Sequence, residues 1–203
     1  MIITRIECEL YSSNIYVLED VQSDYCWLVD IGEKNLCIPG NKRVKGVFIT
    51  HTHIDHIQGI NDILEKFPDC IIYVNKAGKE GLYNDKDNLT FYHEEPLCFK
   101  GGNVRTIKEG DKVQLFDFAV MEFVETPGHH PSCVCFKSDK YLFTGDSYIP
   151  GFPVITKLKG GNRIQAAESE SRIKSLIDKQ TVICPGHGEI VRVHFSAWPT
   201  END

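Results

Sequence analysis

Between Thr50 and His56 the chain reads Thr-His-Thr-His-Ile-Asp-His, placing three of its eight histidines and a carboxylate within six consecutive positions. Protonated imidazoles this close repel one another, and no turn requires them. Imidazole with carboxylate is, however, the donor set of a zinc or iron site. The flanks limit what can carry such a run. Residues 44–49, with Val44, Val47, Phe48 and Ile49, are largely apolar and β-branched, which predicts a buried strand. Ile57, Ile60, Ile63, Leu64 and Phe67 recur at helical spacing, which predicts a helix over 57–67. The donors therefore fall in a strand-to-helix turn at the mouth of a sheet. His51 and His53, two apart on extended backbone, point the same way. Asp55 and His56 lie where the chain turns and can address a second position, although Asp55 alone also suits the N-cap of the helix. The donors are too many for one tetrahedral ion with an open position, and two adjacent cations account for the surplus.

Around this run the pattern is strand-rich. Strands are expected over 2–8, 14–19, 25–30, 70–74, 104–107, 112–116, 119–124, 133–137, 141–143, 181–184 and 190–193, with another reaching Ile38 after the Ile31-Gly32 turn. A weaker helix is expected over 75–83. A clearer one spans 162–179, with Ile164, Ala167, Ile173, Leu176 and Ile177 as its apolar face. Residues 84–102, charged and carrying Pro96 and Gly101-Gly102, read as a long surface loop placed to cover the site. Strands with interspersed helices and no linker indicate one α/β or α+β domain over 1–203.

Composition narrows the partners. A net charge of −7 argues against nucleic acid and anionic membrane, leaving a small-molecule substrate; oligomeric state is not legible. The first residues show no basic start followed by an apolar core, and no apolar run reaches the length of a membrane span. The eight cysteines are scattered without a Cys-x-x-Cys pair and read as buried thiols of a cytoplasmic protein.

Three later segments each place a metal-type residue beside glycine at a strand exit: Thr126-Pro127-Gly128-His129, Gly145-Asp146 and Pro185-Gly186-His187-Gly188. With the run at 51–56 and the Asp30-Ile31-Gly32 turn, these motifs in this order resemble the metallo-β-lactamase superfamily over nearly the whole chain. The resemblance implies a four-layer αβ/βα sandwich with metals at one edge. It further implies that His51, His53 and His129 hold a first metal, that Asp55, His56 and His187 hold a second, and that Asp146 bridges them. Two Zn2+ are expected, with Fe or a mixed Fe/Zn pair as the alternative.

Two such cations generate a metal-bound hydroxide near neutral pH, and Asp55 is the candidate catalytic residue that orients it and moves its proton. Asp30 is expected to support the first histidines by hydrogen bonding. The leading expectation is a binuclear metal-dependent hydrolase of a small ester-like substrate, a thioester or lactone, similar to single-domain glyoxalase II-like members. Glyoxalase II itself carries a further helical domain with no counterpart in the sixteen residues after His187, which speaks against glutathione thioesters. Tyr148, His130 and Lys157 are candidate substrate contacts, although Lys157 also suits a solvated basic stretch with Lys159 and Arg163. His93 and His194 are read as having no role in the site. One alternative is a persulfide dioxygenase-like oxidoreductase with one iron on His51, His129 and Asp146. Another is a non-catalytic metal-binding protein.

Overall fold

The computed structural model describes residues 1–193. Its architecture follows from strands that are apolar on both faces. Along β2 (Asn14–Glu19), β3 (Tyr25–Val29) and β4 (Arg43–Phe48), residues alternate between two different cores. Tyr16, Leu18, Trp27, Val29 and Phe48 face one way and meet Phe123, Phe136 and Phe143 of a second sheet. Ile15, Val17, Cys26, Leu28 and Val47 face the other way and meet Ile57, Ile60 and Ile63 of a helical layer. Such a strand can be stable only with material stacked on both sides.

The first sheet runs β1 (Ile2–Glu7), β2, β3, β4, β5 (Ile71–Val74), β6 (Asn103–Thr106) in spatial order. Its first two pairings are antiparallel and its last three parallel. The second sheet comprises β7 (Lys112–Phe116), β8 (Ala119–Glu125), β9 (Val134–Ser138), β10 (Tyr141–Gly145), β11 (Val182–Pro185) and β12 (Val191–Arg192), again in sequence order. Only β10 and β11 pair in parallel there. Helices α1 (Ile54–Ile57), α2 (Ile60–Lys66) and α3 (Lys76–Leu82) cover the first sheet, and α4 (Arg163–Ser175) covers the second through Ile173 against Cys135 and Leu142. The result is the expected four-layer αβ/βα sandwich. Its centre is aromatic: Phe48 lies 4.8 Å from Tyr73, 5.3 Å from Trp27 and 5.5 Å from Phe136 between ring centroids. Each such ring buried contributes about 1.5–3 kcal/mol.

Three local expectations need correction. No strand forms between the Ile31-Gly32 turn and Ile38, because β3 is already paired on both edges, by β2 and β4. The segment instead turns at Asn35 and drops Leu36 and Ile38 into the core. The helix expected over 57–67 is two helices. The backbone N–H of Gly59 donates to Ile31 O at 2.9 Å and His56 O accepts from Ile31 N–H at 2.9 Å, which diverts the intrahelical ladder. In α4 the buried face is Ala166, Ser169 and Ile173, while Ile164 and Ala167 are exposed. The Ser169 hydroxyl donates to Pro127 O at 2.6 Å, which sets the rotation of the helix.

All eight cysteines are unpaired; six are buried, and Cys37 and Cys98 are exposed. Among the described residues no helix is long and apolar enough to cross a membrane.

Candidate metal centre

The four chemistry-bearing segments leave the carboxyl ends of β4, β8, β10 and β11, so both sheets deliver side chains to one edge of the sandwich. After β4 the chain bends at Thr50 and runs to His53, whose φ and ψ are −67° and 151°, before α1 starts. His53 is therefore the N-cap residue, and Asp55 sits inside the first turn rather than capping it. His51, His53, Asp55, His56 and His129 are all buried.

Two glycines let the segments converge. Gly128, at φ +136°, packs so closely on α4 that a Cβ there would lie 2.2 Å from Ala166 N. At Gly186 a Cβ would lie 2.2 Å from Asp146 Oδ1.

His51, His53 and His129 form one group. His53 Nδ1 lies 3.1 Å from His51 Nε2 and 3.0 Å from His129 Nε2. Nitrogens around a zinc-sized cation with bonds of 2.0–2.1 Å stand roughly 3.4 Å apart, so the group fits one ion with little movement. Asp55, His56 and His187 form a second group: Asp55 Oδ2 lies 3.4 Å from His56 Nε2 and 3.3 Å from His187 Nε2. Asp146 stands between the two, its Oδ2 at 3.4 Å from His187 Nε2 and 3.7 Å from His129 Nε2, its Oδ1 at 3.5 Å from His56 Nε2.

Four of the five imidazoles are fixed in one tautomer by a partner on the far nitrogen. His56 Nδ1 donates to Asp30 Oδ2 at 2.8 Å, His129 Nδ1 to Ile155 O at 2.8 Å and His187 Nδ1 to Tyr11 O at 3.0 Å. His51 Nδ1 lies 3.2 Å from the Thr50 hydroxyl oxygen. Each therefore turns an unprotonated Nε2 inward when neutral, the form in which imidazole binds a metal. His56 Nε2 and Asp146 Oδ1 are buried without a hydrogen-bond partner, as is His53 Nε2 on the outer side of its ring. His56 Nε2 and Asp146 Oδ1, orphaned and 3.5 Å apart, are the kind of buried polar atoms that a cation-binding pocket offers.

The electrostatics of the two groups differ. Burial and mutual repulsion hold His51 well below its ordinary pKa and bring His53 to about 3; burial also lowers His129. These three are neutral at pH 7 and ready to donate. In the second group burial works against every charge, yet the charges support one another. Asp55, Asp30 and Asp146 hold His56 well above its usual value, and hydrogen bonds to Asp146 and Asp55 raise His187 to about 10. Against the same burial, His56 and His187 keep Asp55 and Asp146 below the usual carboxylate range. Without a cation this group is an ion cluster, and its two imidazolium protons occupy the place of a divalent ion.

The expected contacts divide. Lys157 lines the cleft above the donors. His130 is buried behind His53, its ring centroid 5.0 Å away, with Nδ1 taken by Ser132; burial lowers its pKa to about 4. Tyr148 does not reach the cleft: the Thr144 hydroxyl holds its carbonyl at 2.6 Å, and its ring packs on the α4 side with Leu142 and Ile173. Asp30 supports His56 rather than the first two histidines, while also accepting from Thr50 N–H and the Thr50 hydroxyl at 2.7 Å each.

The loop at 84–102 does border the site, through Leu89, Tyr92 and His93. His93 thus belongs to the cleft wall, contrary to expectation, with its ring 6.0 Å from that of Tyr11. His194 lies outside the described residues. Tyr11, Phe152 and Ile155, also at the cleft, carry no sequence signal that marks them; the paired left-handed residues Tyr11 and Ser12 become visible only in three dimensions.

A family model described as the metallo-beta-lactamase superfamily matches residues 10–187. Among solved structures, the chain is similar to the BLEG-1 B3 metallo-beta-lactamase, with a TM-score of 0.84, 19% identity, and 94% of this chain and 93% of that chain covered. It is similar to TTHA1623, solved in a di-iron-bound form, with a TM-score of 0.78, 23% identity and coverage of 93% and 94%. It is also similar to ETHE1 from Myxococcus xanthus, with a TM-score of 0.67, 20% identity and coverage of 93% and 76%.

Proposed function

This chain belongs to the metallo-β-lactamase superfamily, and from that premise we propose that it is a binuclear metal-dependent hydrolase of a small ester-like substrate, a thioester or lactone. The observation that carries the reading is the pair of complete donor groups sharing Asp146, each with unprotonated or unpartnered atoms aimed inward. His51, His53 and His129 would hold one cation, Asp55, His56 and His187 the other, and Asp146 both. When bound, two divalent ions supply Lewis acidity toward a carbonyl oxygen and lower the pKa of a water at the site.

The chain's own residues supply the rest. Asp55 is kept ionised by His56 and His187, so it can orient the attacking water and accept its proton. Ser13 fixes Asp55 from behind, its hydroxyl donating to Asp55 O at 2.5 Å. Tyr11 O, Ile155 O and Asp30 keep three histidines from rotating or changing tautomer during turnover. Zinc is the ion we favour, with iron or a mixed pair as the alternative.

A single iron on His51, His129 and Asp146, as in an oxidoreductase acting on persulfides, would leave Asp55, His56 and His187 without a task. That complete second group favours a two-cation hydrolase over a one-iron oxidoreductase.

The test is metal content and turnover of thioester and lactone panels, with Asp55→Ala as the control. About two cations per chain are expected, and the variant should lose roughly 10²–10⁴-fold in kcat while keeping its fold. One iron per chain with oxygen uptake on a persulfide, or full turnover by Asp55→Ala, refutes the reading.

A further inference from the structure

The cleft above the donor groups has two unlike arms that share His129, Asp146, Ile155 and His187. One arm sets the polar and cationic side chains His93, Lys157 and Lys159 among the apolar Ile54, Leu89 and Leu158. The other is walled by Ile149, Phe152, Pro153, Val154 and Ile155, and its charged or titratable groups are the candidate donors on its floor. Its volume is about 490 Å³, within the range of small-molecule clefts.

This wall is a built feature rather than a stray loop. It folds back on itself at Gly151, with Phe152 N–H donating to Ile149 O at 3.0 Å. It is tied to the cluster by Ile155 O, which accepts from His129 Nδ1. Yet Phe152 is 71% and Ile155 58% exposed. Two large apolar side chains left in water, lining one arm that is continuous with the candidate centre, mark a surface that is covered when the site is filled.

We infer that this arm seats the acyl part of the substrate, so that the protein acts on thioesters or lactones of hydrophobic acyl groups rather than of short or polar ones. The inference rests on the hydrolase reading and gives it a substrate class. The wall offers no side chain to replace the water around a charged or hydroxylated acyl group, whereas methylenes lose nothing by entering it. With a thioester, the other arm, with Lys157 and His93, takes the thiol half. In the reaction the oxygen of water forms a bond to the acyl carbon, the bond from that carbon to sulfur or ring oxygen breaks, and that atom takes one proton, so that a thioester releases a free thiol and a lactone opens to a hydroxy acid, while the second water proton goes to solvent as the carboxylate forms.

The experiment uses the metal-loaded protein and straight-chain thioesters and lactones from four to ten carbons, with kcat/KM read against chain length. A rise of about two- to fourfold per methylene is expected, the upper value being full burial of each group. Phe152→Ser and, separately, Ile155→Ser should flatten that slope; both sites are exposed, and Ile155→Ser keeps the carbonyl that holds His129. A second readout does not need turnover: binding of hexanoate, octanoate and decanoate to metal-free protein by calorimetry should strengthen along the series and lose that trend in Phe152→Ser. Turnover that is flat with chain length overturns the inference and leaves the hydrolase reading standing. Chain-dependent binding without turnover on any ester supports the acyl arm and refutes the hydrolase reading. Absence of both trends refutes the acyl arm.

Discussion

Replacing Asp30 by Asn changes almost no volume and isolates what its charge does. The buried Asp30 carboxylate accepts three hydrogen bonds, from Thr50 N–H, the Thr50 hydroxyl and His56 Nδ1. An amide offers one acceptor face. If its oxygen stays toward His56, its NH2 meets the Thr50 N–H; if it flips, the NH2 meets His56 Nδ1–H and the Thr50 hydroxyl. Either orientation strands at least one buried donor, at about 1–3 kcal/mol, and reduces the remaining charge-assisted bonds to neutral ones, at about 1 kcal/mol each. Burial already disfavours the carboxylate and pushes the Asp30 pKa up, so the neutral amide regains part of that loss. The net destabilisation works out at about 2–4 kcal/mol. Denaturant unfolding of chelator-treated protein measures it. The same change frees His56 to put its proton on Nε2, so affinity for the ion on the Asp55 side should fall about 10–100-fold, read by calorimetric metal titration. A variant that unfolds at the wild-type midpoint and binds two ions unchanged would refute both the support assigned to Asp30 and the tautomer argument.

Asp146→Ala should bring metal content from about two ions per chain to about one; a count still at two contradicts its position between the groups. Gly128→Ala should be far worse than an ordinary loop substitution, by about 2–5 kcal/mol, because it adds a strained φ to an overlap with the backbone of α4; stability within 1 kcal/mol of wild type would count against that packing. The pH profile of metal-free protein should show the His187 pair. Its folded pKa, about 10, exceeds the unfolded value near 6.5. Its contribution is therefore complete below about pH 6.5 and disappears as pH rises through 10. Asp55 and Asp146, held low, contribute above their unfolded value near 3.8 and lose that contribution in acid. The thermal midpoint should fall from pH 7 to 10 in chelator and fall less in His187→Asn; identical slopes would exclude the ion cluster.

The donor run and the three glycine-flanked residues were legible because metal chemistry accepts few side-chain types and strand ends have a recognisable pattern. The layered fold was legible too, since strands such as β2 and β3 are apolar on both faces. Features made by the backbone were not. Nothing in the letters at 11 and 155 announces that their carbonyls will orient His187 and His129. Asp30 could be seen as a supporting residue, but its partner depends on how α1 begins, and that start lies inside the histidine run. The burial of Ala166 and Ser169 instead of Ile164 arises from contacts with Pro127 and Gly128, forty residues away in sequence and invisible to helical periodicity.

Tyr11 and Ile155 each do two things with different atoms: the carbonyl steers a histidine, while the side chain faces the cleft. Substitution at either position leaves the carbonyl in place. A lineage can therefore exchange the side chains that meet the substrate, one at a time, while the histidines keep their orientation. In this scaffold a change of diet need not pass through a loss of reactivity.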